Sequence, residues 1–489
     1  MLSEAKNTVL IGLLYVDLAW AGCPDKLSSA ANPKTIRRDV VVIGGGASGA
    51  YSAVRLREDY GLSVALVEKE AQLGGHVNTW VDLATGRGFD AGVQSYVDVA
   101  NSSTAFFRRF GIEIGPNTRP AQQPPVYVDF ATGKKLSNYI LPATTDRNDA
   151  LRRYLVVAES LLSVFEPGWW TFPKPDAIPQ DLLLSFGDAM VKYNLTSALP
   201  QILGLTGGGI KDFMNSPLMW VMRPFGVDMA RTILGLNAGF IPTSGKNQDL
   251  YDAILKLLGP DSLLSSTVVK AKRADEGVTV DVRNAETCQV TRIVAKKLLY
   301  AASPTRENLE PFSLDETERE TLYKFQFTRP FVGVVSHPSL PLGTSLSNMP
   351  EEAQGGNWTA AANREFPYAS GFNNFANSSF FRVIVGGDTT LTEKRAREVL
   401  LSTFDRLVAA GTINQTDPPQ PLKILYFKNH YQMNAHVPTD VIRSGFFQIL
   451  NSLQGRRSTW YTGSAWATPI TTSLWVFTDT VLPKLVESL

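Results

Sequence analysis

The sequence predicts an α/β protein carrying an inserted α+β cap, and three observations support that prediction. The first is a strand–turn–helix–strand unit between Arg38 and Glu68 with glycines at its turn. The second is Leu263 to Val282, two strand-like runs about a turn at Asp275-Glu276-Gly277, followed by the buried run Ile293 to Ala302. The third is Leu453 to Trp475, where a strand at Ser458 to Tyr461 passes through Thr462-Gly463-Ser464 into a helical pattern. Strand-bearing blocks are therefore spread along the chain, and the long segments between them have room for a second lobe.

Within the first unit, Val40 to Ile43 is a short β-branched run, as expected of a strand buried on both faces. It breaks into Gly44-Gly45-Gly46-Ala47-Ser48-Gly49, after which Ala50, Ala53, Val54 and Leu56 share one helical face. Gly44 permits the tight turn, Gly46 lets backbone approach a pyrophosphate, and Gly49 lets helix and strand pack closely. The pyrophosphate then rests on the helix N-terminus, beside Ala47 and Ser48, where free N–H groups and the dipole favour an anion. Leu62 to Val67 is the second strand. It ends on Glu68, followed by Lys69, where ribose hydroxyls would lie. The charge of Glu68 disfavours a 2′-phosphate, so this Rossmann-like unit predicts FAD or NAD in preference to NADP.

Six residues past Glu68 stands Gly74-Gly75-His76. An acidic strand end, a short spacer, two glycines and a basic residue resemble the flavin-containing amine oxidase superfamily, which implies FAD. There the glycine pair and its basic neighbour lie along the flavin's phosphates and ribityl chain, so Gly75 and His76 inherit that place. Most members have Arg where this chain has His76. The resemblance also puts Val93 and Gln94 near the flavin ring and Tyr96 near the substrate. It assigns the backbone of Val269 to the adenine, and Gly463 and Ser464 to the pyrophosphate or ribityl chain. A second helix N-terminus, at Thr472, falls at the pyrimidine edge. Ser464 departs from the Asp or Glu usual after that glycine. Together the two blocks look most like the fungal β-cyclopiazonate dehydrogenase branch, with bacterial polyunsaturated fatty acid isomerases as more distant relatives.

On this reading residues 36–115, 241–310 and 452–489 build the FAD-binding lobe, and 116–240 with 311–451 the cap. Pro116 to Pro125 reads as a linker or extended edge. Beyond it, Trp169, Trp170, Phe172, Trp220, Phe225 and Phe240 suit core packing individually and an apolar substrate pocket collectively. Thr328 to Val335 and Phe381 to Val385 are strand-like runs fit to floor that pocket. Leu391 to Ala410 is an amphipathic helix with a solvated charged face.

The 47 basic and 46 acidic residues nearly cancel, which gives no electrostatic case for nucleic acid or an anionic membrane surface. Two cysteines, Cys23 and Cys288, exclude a disulfide framework and a zinc cluster and leave open whether they pair. The four histidines lack metal-ligand spacing, so no metal is expected. Residues 1–21 resemble a signal peptide, apolar from Thr8 and ending in Ala19-Trp20-Ala21, and too short to span a bilayer. Five sequons begin at Asn101, Asn194, Asn357, Asn377 and Asn414. The expectation is a secreted or secretory-lumenal glycoprotein.

The expected reaction is removal of a hydride from an apolar metabolite, indole-type compounds included, with ring closure as an accompanying step. No lysine is assignable near the flavin's N5. Tyr96, His430 and Tyr431 are the candidates for moving a proton, against the alternative that they are buried, hydrogen-bonded side chains. The alternatives are FAD-dependent double-bond isomerisation of a polyunsaturated fatty acid, or flavin-containing binding of a hydrophobic ligand without catalysis. Both cysteines lie outside the flavin blocks, so FAD is expected to be held noncovalently.

Overall fold

The computed structural model describes residues 33–99, 102–117, 122–206, 209–362 and 364–489. The expected signal segment, Cys23 and Asn101 lie outside them. Lys34–Ile43 is central to a seven-stranded sheet, parallel to Val64–Val67 on one side and to Val290–Tyr300 on the other. Ser262–Leu263 continues the sheet beyond Val64–Val67. The predicted hairpin, Ser266–Ala274 with Gly277–Asn284, continues it past Val290–Tyr300. Thr459–Tyr461 also pairs in parallel with Val290–Tyr300.

Register decides where a ligand can sit. Ile43 stands opposite Val67 and Tyr300, and Tyr300 opposite Tyr461, so four strands finish at one level. Carboxyl ends aligned in this way frame the crevice in which open α/β sheets take ligands. Val40, Val41 and Val42 are fully buried, as expected of a strand covered on both faces. The helix after the glycines, Ala47–Val54, buries Ala50, Ala53 and Val54 and packs against the C-terminal helix Thr471–Glu487.

A second seven-stranded sheet forms a floor, in the order Lys423–Asn429, Phe331–Ser336, Phe381–Gly386, Tyr368–Asn374, Leu346–Asn348, Val126–Asp129, Lys134–Lys135. The amphipathic helix is present as Glu393–Ala409. It turns Ala396, Leu400, Phe404 and Leu407 onto this sheet, and its half-buried Arg397, set against the Phe427 ring, donates to Glu393. The run expected to start at Thr328 is divided. Pro330 has no N–H to continue a ladder, so Gln326–Thr328 pairs instead with Met433–His436.

Residues 116–240 are more mixed than a helical cap. The helix Thr144–Phe165 dominates them, yet Val126–Asp129 and Lys134–Lys135 belong to the floor sheet. Of the six aromatics singled out there, five are buried and Trp170 is half-buried. The rings of Trp169 and Phe172 each lie 4.2 Å from that of Phe447, tilted against it. Packing claims them: none of the six lines the large cavity described below. Cys288 is disulfide-bonded. Among the described residues no helix is long and apolar enough to cross a membrane.

Candidate active site

The glycine loop is built as its sequence demands. Gly44 has φ +100°, and a Cβ there would lie 3.0 Å from the Ala302 nitrogen. A Cβ on Gly49 would lie 1.8 Å from the Gly44 carbonyl oxygen, so only glycine fits. Gly46 differs: the one neighbour of its would-be Cβ is the Gly75 Cα, at 3.7 Å. Open space therefore faces the middle glycine, and the second glycine pair comes up beside it. From the far end of the chain Gly463, with φ +106°, approaches the Ala301 carbonyl, where a Cβ would stand 3.2 Å from the oxygen. Gly44, Gly49 and Gly463 thus converge on the small pair Ala301-Ala302 at the end of Val290–Tyr300.

Ser48 and Thr472 each lie in the first turn of a helix, and each hydroxyl is buried without a hydrogen-bond partner. Buried hydroxyls are rarely left unpaired. The two helix starts are held together by Trp475, whose indole N–H donates to the Ala47 carbonyl at 3.1 Å. Two orphaned donors at two dipole ends, beside a glycine with room in front of it, fit a dinucleotide's phosphates and an electron-rich ring edge. On these observations the residues present fit FAD.

Glu68 is buried under the loop, where its carboxylate accepts from the Gly45 N–H at 2.6 Å and the Glu70 N–H at 2.9 Å. Burial raises its pKa against the pull of those two amides. Lys69 places its ammonium 3.3 Å from the centre of the Tyr431 ring. Val269 falls at a β-bulge between Val268 and Lys270, outside the paired register of the hairpin. The Ser464 carbonyl accepts from Arg223, which also donates to the carbonyls of Ala435 and Ala467. Arg223 lies between the rings of Trp169 and Trp220 and clamps the C-terminal loop from behind. Sequence reasoning missed it, since nothing local marks an arginine whose acceptors are backbone carbonyls more than 200 residues away.

A cavity of about 1190 Å³ is lined by the stretch around residues 87–97, by residues of the second seven-stranded sheet and by residues 469–471. It exceeds typical small-molecule sites and can hold a flavin ring together with a substrate. His76, Val93, Gln94, Tyr96, His430 and Thr471 all line it. Tyr431 does not, its ring being taken by Lys69. Val93 is fixed by its N–H to the His76 carbonyl and by its own carbonyl accepting from Asn247. Tyr96 is fully buried, with its hydroxyl unpartnered.

His76 and His430 stack with ring centres 4.8 Å apart. The His76 Nε2 lies 2.9 Å from the Tyr431 carbonyl, which can only accept, so the proton sits on Nε2. Asn78, absent from the sequence reading although two residues past His76, meets the His430 Nε2 at 2.9 Å and accepts from the Tyr426 hydroxyl at 2.6 Å. With its carbonyl so occupied, the Asn78 amide donates to His430, which leaves the His430 proton on Nδ1. Burial lowers the pKa of both rings, and His76 and Arg382 depress His430 further, so both are neutral. Arg382 reaches from the floor sheet to the carbonyls of Ala91 and Gly92. Burial lifts Asp90 to about 7, although the Thr79 hydroxyl and the Asn247 N–H oppose this.

Residues 42–110 match the NAD(P)-binding Rossmann-like domain. The chain is 32% identical to FAD-dependent oxidoreductase pigF of Monascus ruber, with 99% of each chain covered. It is 30% identical to the β-cyclopiazonate dehydrogenase of Aspergillus oryzae, over 93% of this chain and 94% of that one. A fatty acid isomerase from P. acnes shares the fold, with a TM-score of 0.69 at 14% identity over 91% of this chain and 98% of that one. Glycine loop, second glycine pair, C-terminal block and full-length similarity agree: the chain belongs to the fungal FAD-dependent oxidoreductases that include β-cyclopiazonate dehydrogenase.

Proposed function

We propose that this oxidoreductase removes two electrons from an apolar, ring-containing secondary metabolite held in the large cavity. The observation that carries this reading is the meeting of two helix N-termini, each with an unpaired buried hydroxyl, the second of them starting at Thr471 on the wall of that cavity. Bound FAD supplies the hydride-accepting chemistry. In the proposed arrangement Gly46, Ala47 and Ser48 hold the pyrophosphate, with Gly75 and His76 alongside, Glu68 toward the ribose and Val269 toward the adenine. Gly463, Ser464 and Thr472 hold the ribityl chain and pyrimidine edge, where the helix dipole favours negative charge. Val93 and Gln94 border the ring.

His430 is the residue best placed to handle a proton, since it lines the cavity and its tautomer is fixed by Asn78. Its Nδ1–H serves as a hydrogen-bond donor toward substrate, and its lowered pKa opposes a lasting imidazolium. The direct test is anaerobic mixing of the holoenzyme with indole, amine and fatty-acid compounds. Loss of the oxidised-flavin absorption with one class is the expected result. Turnover of a fatty acid with no net consumption of acceptor would replace this reading with isomerisation.

A secretory location is part of the same proposal. Support comes from the disulfide at Cys288, a bond typical of oxidising compartments, and from the sequon asparagines 194, 357, 377 and 414, all exposed. Natively produced protein should lose mass on treatment with an N-glycosidase, as intact-mass spectrometry would record. An unchanged mass rules out N-glycans and with them the main support for that location.

A further inference from the structure

The cavity wall is cationic. Among its lining residues stand three arginines, Arg87, Arg364 and Arg382, and one carboxylate, Asp90. Arg87 and Arg382 are spent on backbone carbonyls, of Ala376 and Asn377 and of Ala91 and Gly92 respectively. Arg364 is different. Its Nε donates to the Ala361 carbonyl at 2.9 Å, and its guanidinium lies 5.3 Å from the centre of the Tyr368 ring. Among the described residues no carboxylate pairs with it. Burial depresses its pKa, and only the Tyr368 and Tyr139 phenols oppose that. Arg364 is half-buried on the cavity wall, and a guanidinium partly drawn out of water without a counter-ion is an arrangement that a bound anion relieves.

Its neighbours fit an anion as well. The Tyr139 ring lies 4.3 Å from that of Tyr127, tilted 51° to it, and its hydroxyl is buried with no partner. Tyr127, Tyr139, Arg364 and Tyr368 all line the cavity. They gather at one end of the floor sheet. Tyr368 pairs with Gly386 and Asn373 with Arg382, so at the rise of a strand this cluster lies on the order of 15 Å from the Arg382 and Gly92 end.

Taking the proposed reaction as given, we infer that Arg364 and Tyr139 form the subsite for an anionic oxygen group of the substrate, a carboxylate or an ionised enol. The substrate class is then an elongated apolar compound with its acidic end remote from the carbon that is oxidised. Arg364 supplies charge and N–H donors, the Tyr139 hydroxyl supplies a further donor, and the aromatic rings keep water from the pair.

Calorimetric titration of the purified holoenzyme tests this, with indole-3-butyrate against its uncharged counterpart indole-3-butyramide. The carboxylate should bind wild-type enzyme at least ~10-fold more tightly, and Arg364→Gln should reduce that preference to less than ~2-fold. Arg364→Lys should keep part of it, and Tyr139→Phe should lose part with the guanidinium intact, which covers the case of a misfolded Arg364→Gln. Equal binding of the two probes by wild type, failure to bind the carboxylate, or a preference that survives Arg364→Gln overturns the assignment. The absorption spectrum of the same preparation separates the two ideas: protein lacking flavin would undo the oxidoreductase reading, whereas flavin-replete protein indifferent to charge would undo only the subsite.

Discussion

Glu318→Ala is expected to destabilise the fold by about 3–5 kcal/mol, the range for leaving one charge of a buried ion pair alone. Glu318 accepts from both Nη groups of Arg273 at 2.7 Å, and each side chain is 1% exposed. Tyr461 and Arg457 also donate to it, at 3.2 Å each, and Asp315 closes a capping box around it. One carboxylate thus ties the hairpin strand Ser266–Ala274 to Thr459–Tyr461. A lowered melting temperature for Glu318→Ala, largely restored in the double variant Arg273→Met/Glu318→Leu, would identify the lone buried guanidinium as the cause. Burial works to raise the Glu318 pKa, but the Arg273 hydrogen bonds outweigh it and the net shift is down. A depressed acid contributes its stability above its unfolded pKa and loses it as pH falls through the folded value. The contribution should therefore persist at neutral pH and fade only below the ordinary glutamate range, about 4.3.

Gly49→Ala should yield protein without flavin. The added methyl would lie 1.8 Å from the Gly44 carbonyl oxygen, which cannot withdraw without opening the loop. Overpacking of this kind commonly costs about 1–3 kcal/mol in a core. Here the displaced atoms belong to the loop that faces the phosphates, so flavin content, read as the ratio of flavin to protein absorbance, should fall before the fold does. Gly187→Ala is the matched control. It sits in the helix Phe186–Tyr193, away from the cavity, with its new Cβ no closer than 3.4 Å to any neighbour, and should keep its flavin. Equal flavin content in both variants would contradict the role given to Gly49.

What could be read in the sequence was whatever sterics make local. Gly44 and Gly49 announce themselves because a turn and a close approach leave no alternative residue. Gly75, the hairpin about Gly277 and the block around Gly463 were legible for the same reason. Burial was legible too, as in Val40 to Ile43, but not what a buried residue would meet. The cap aromatics show the gap, since composition marked them as apolar while Phe447, far along the chain, decided that Trp169 and Phe172 would fill core. Asn78, Arg223 and the pairing of Arg273 with Glu318 depend on partners over 40 to more than 350 residues away. No spacing rule reaches that far. His76 gained meaning only from its stacked neighbour His430, which the sequence supplied as a separate candidate.

The meeting of Gly49 with Ala301 and Gly463 also sets an order of events during synthesis. At about 5–20 residues per second, roughly 20–85 s separate the emergence of Gly49 from that of Thr472. Throughout that interval the central strand lacks Val290–Tyr300 or Thr459–Tyr461, and the nascent chain has half a cradle. FAD loading is therefore a post-translational act, performed in whichever compartment the finished chain first closes its sheet, and the free cofactor must be present there.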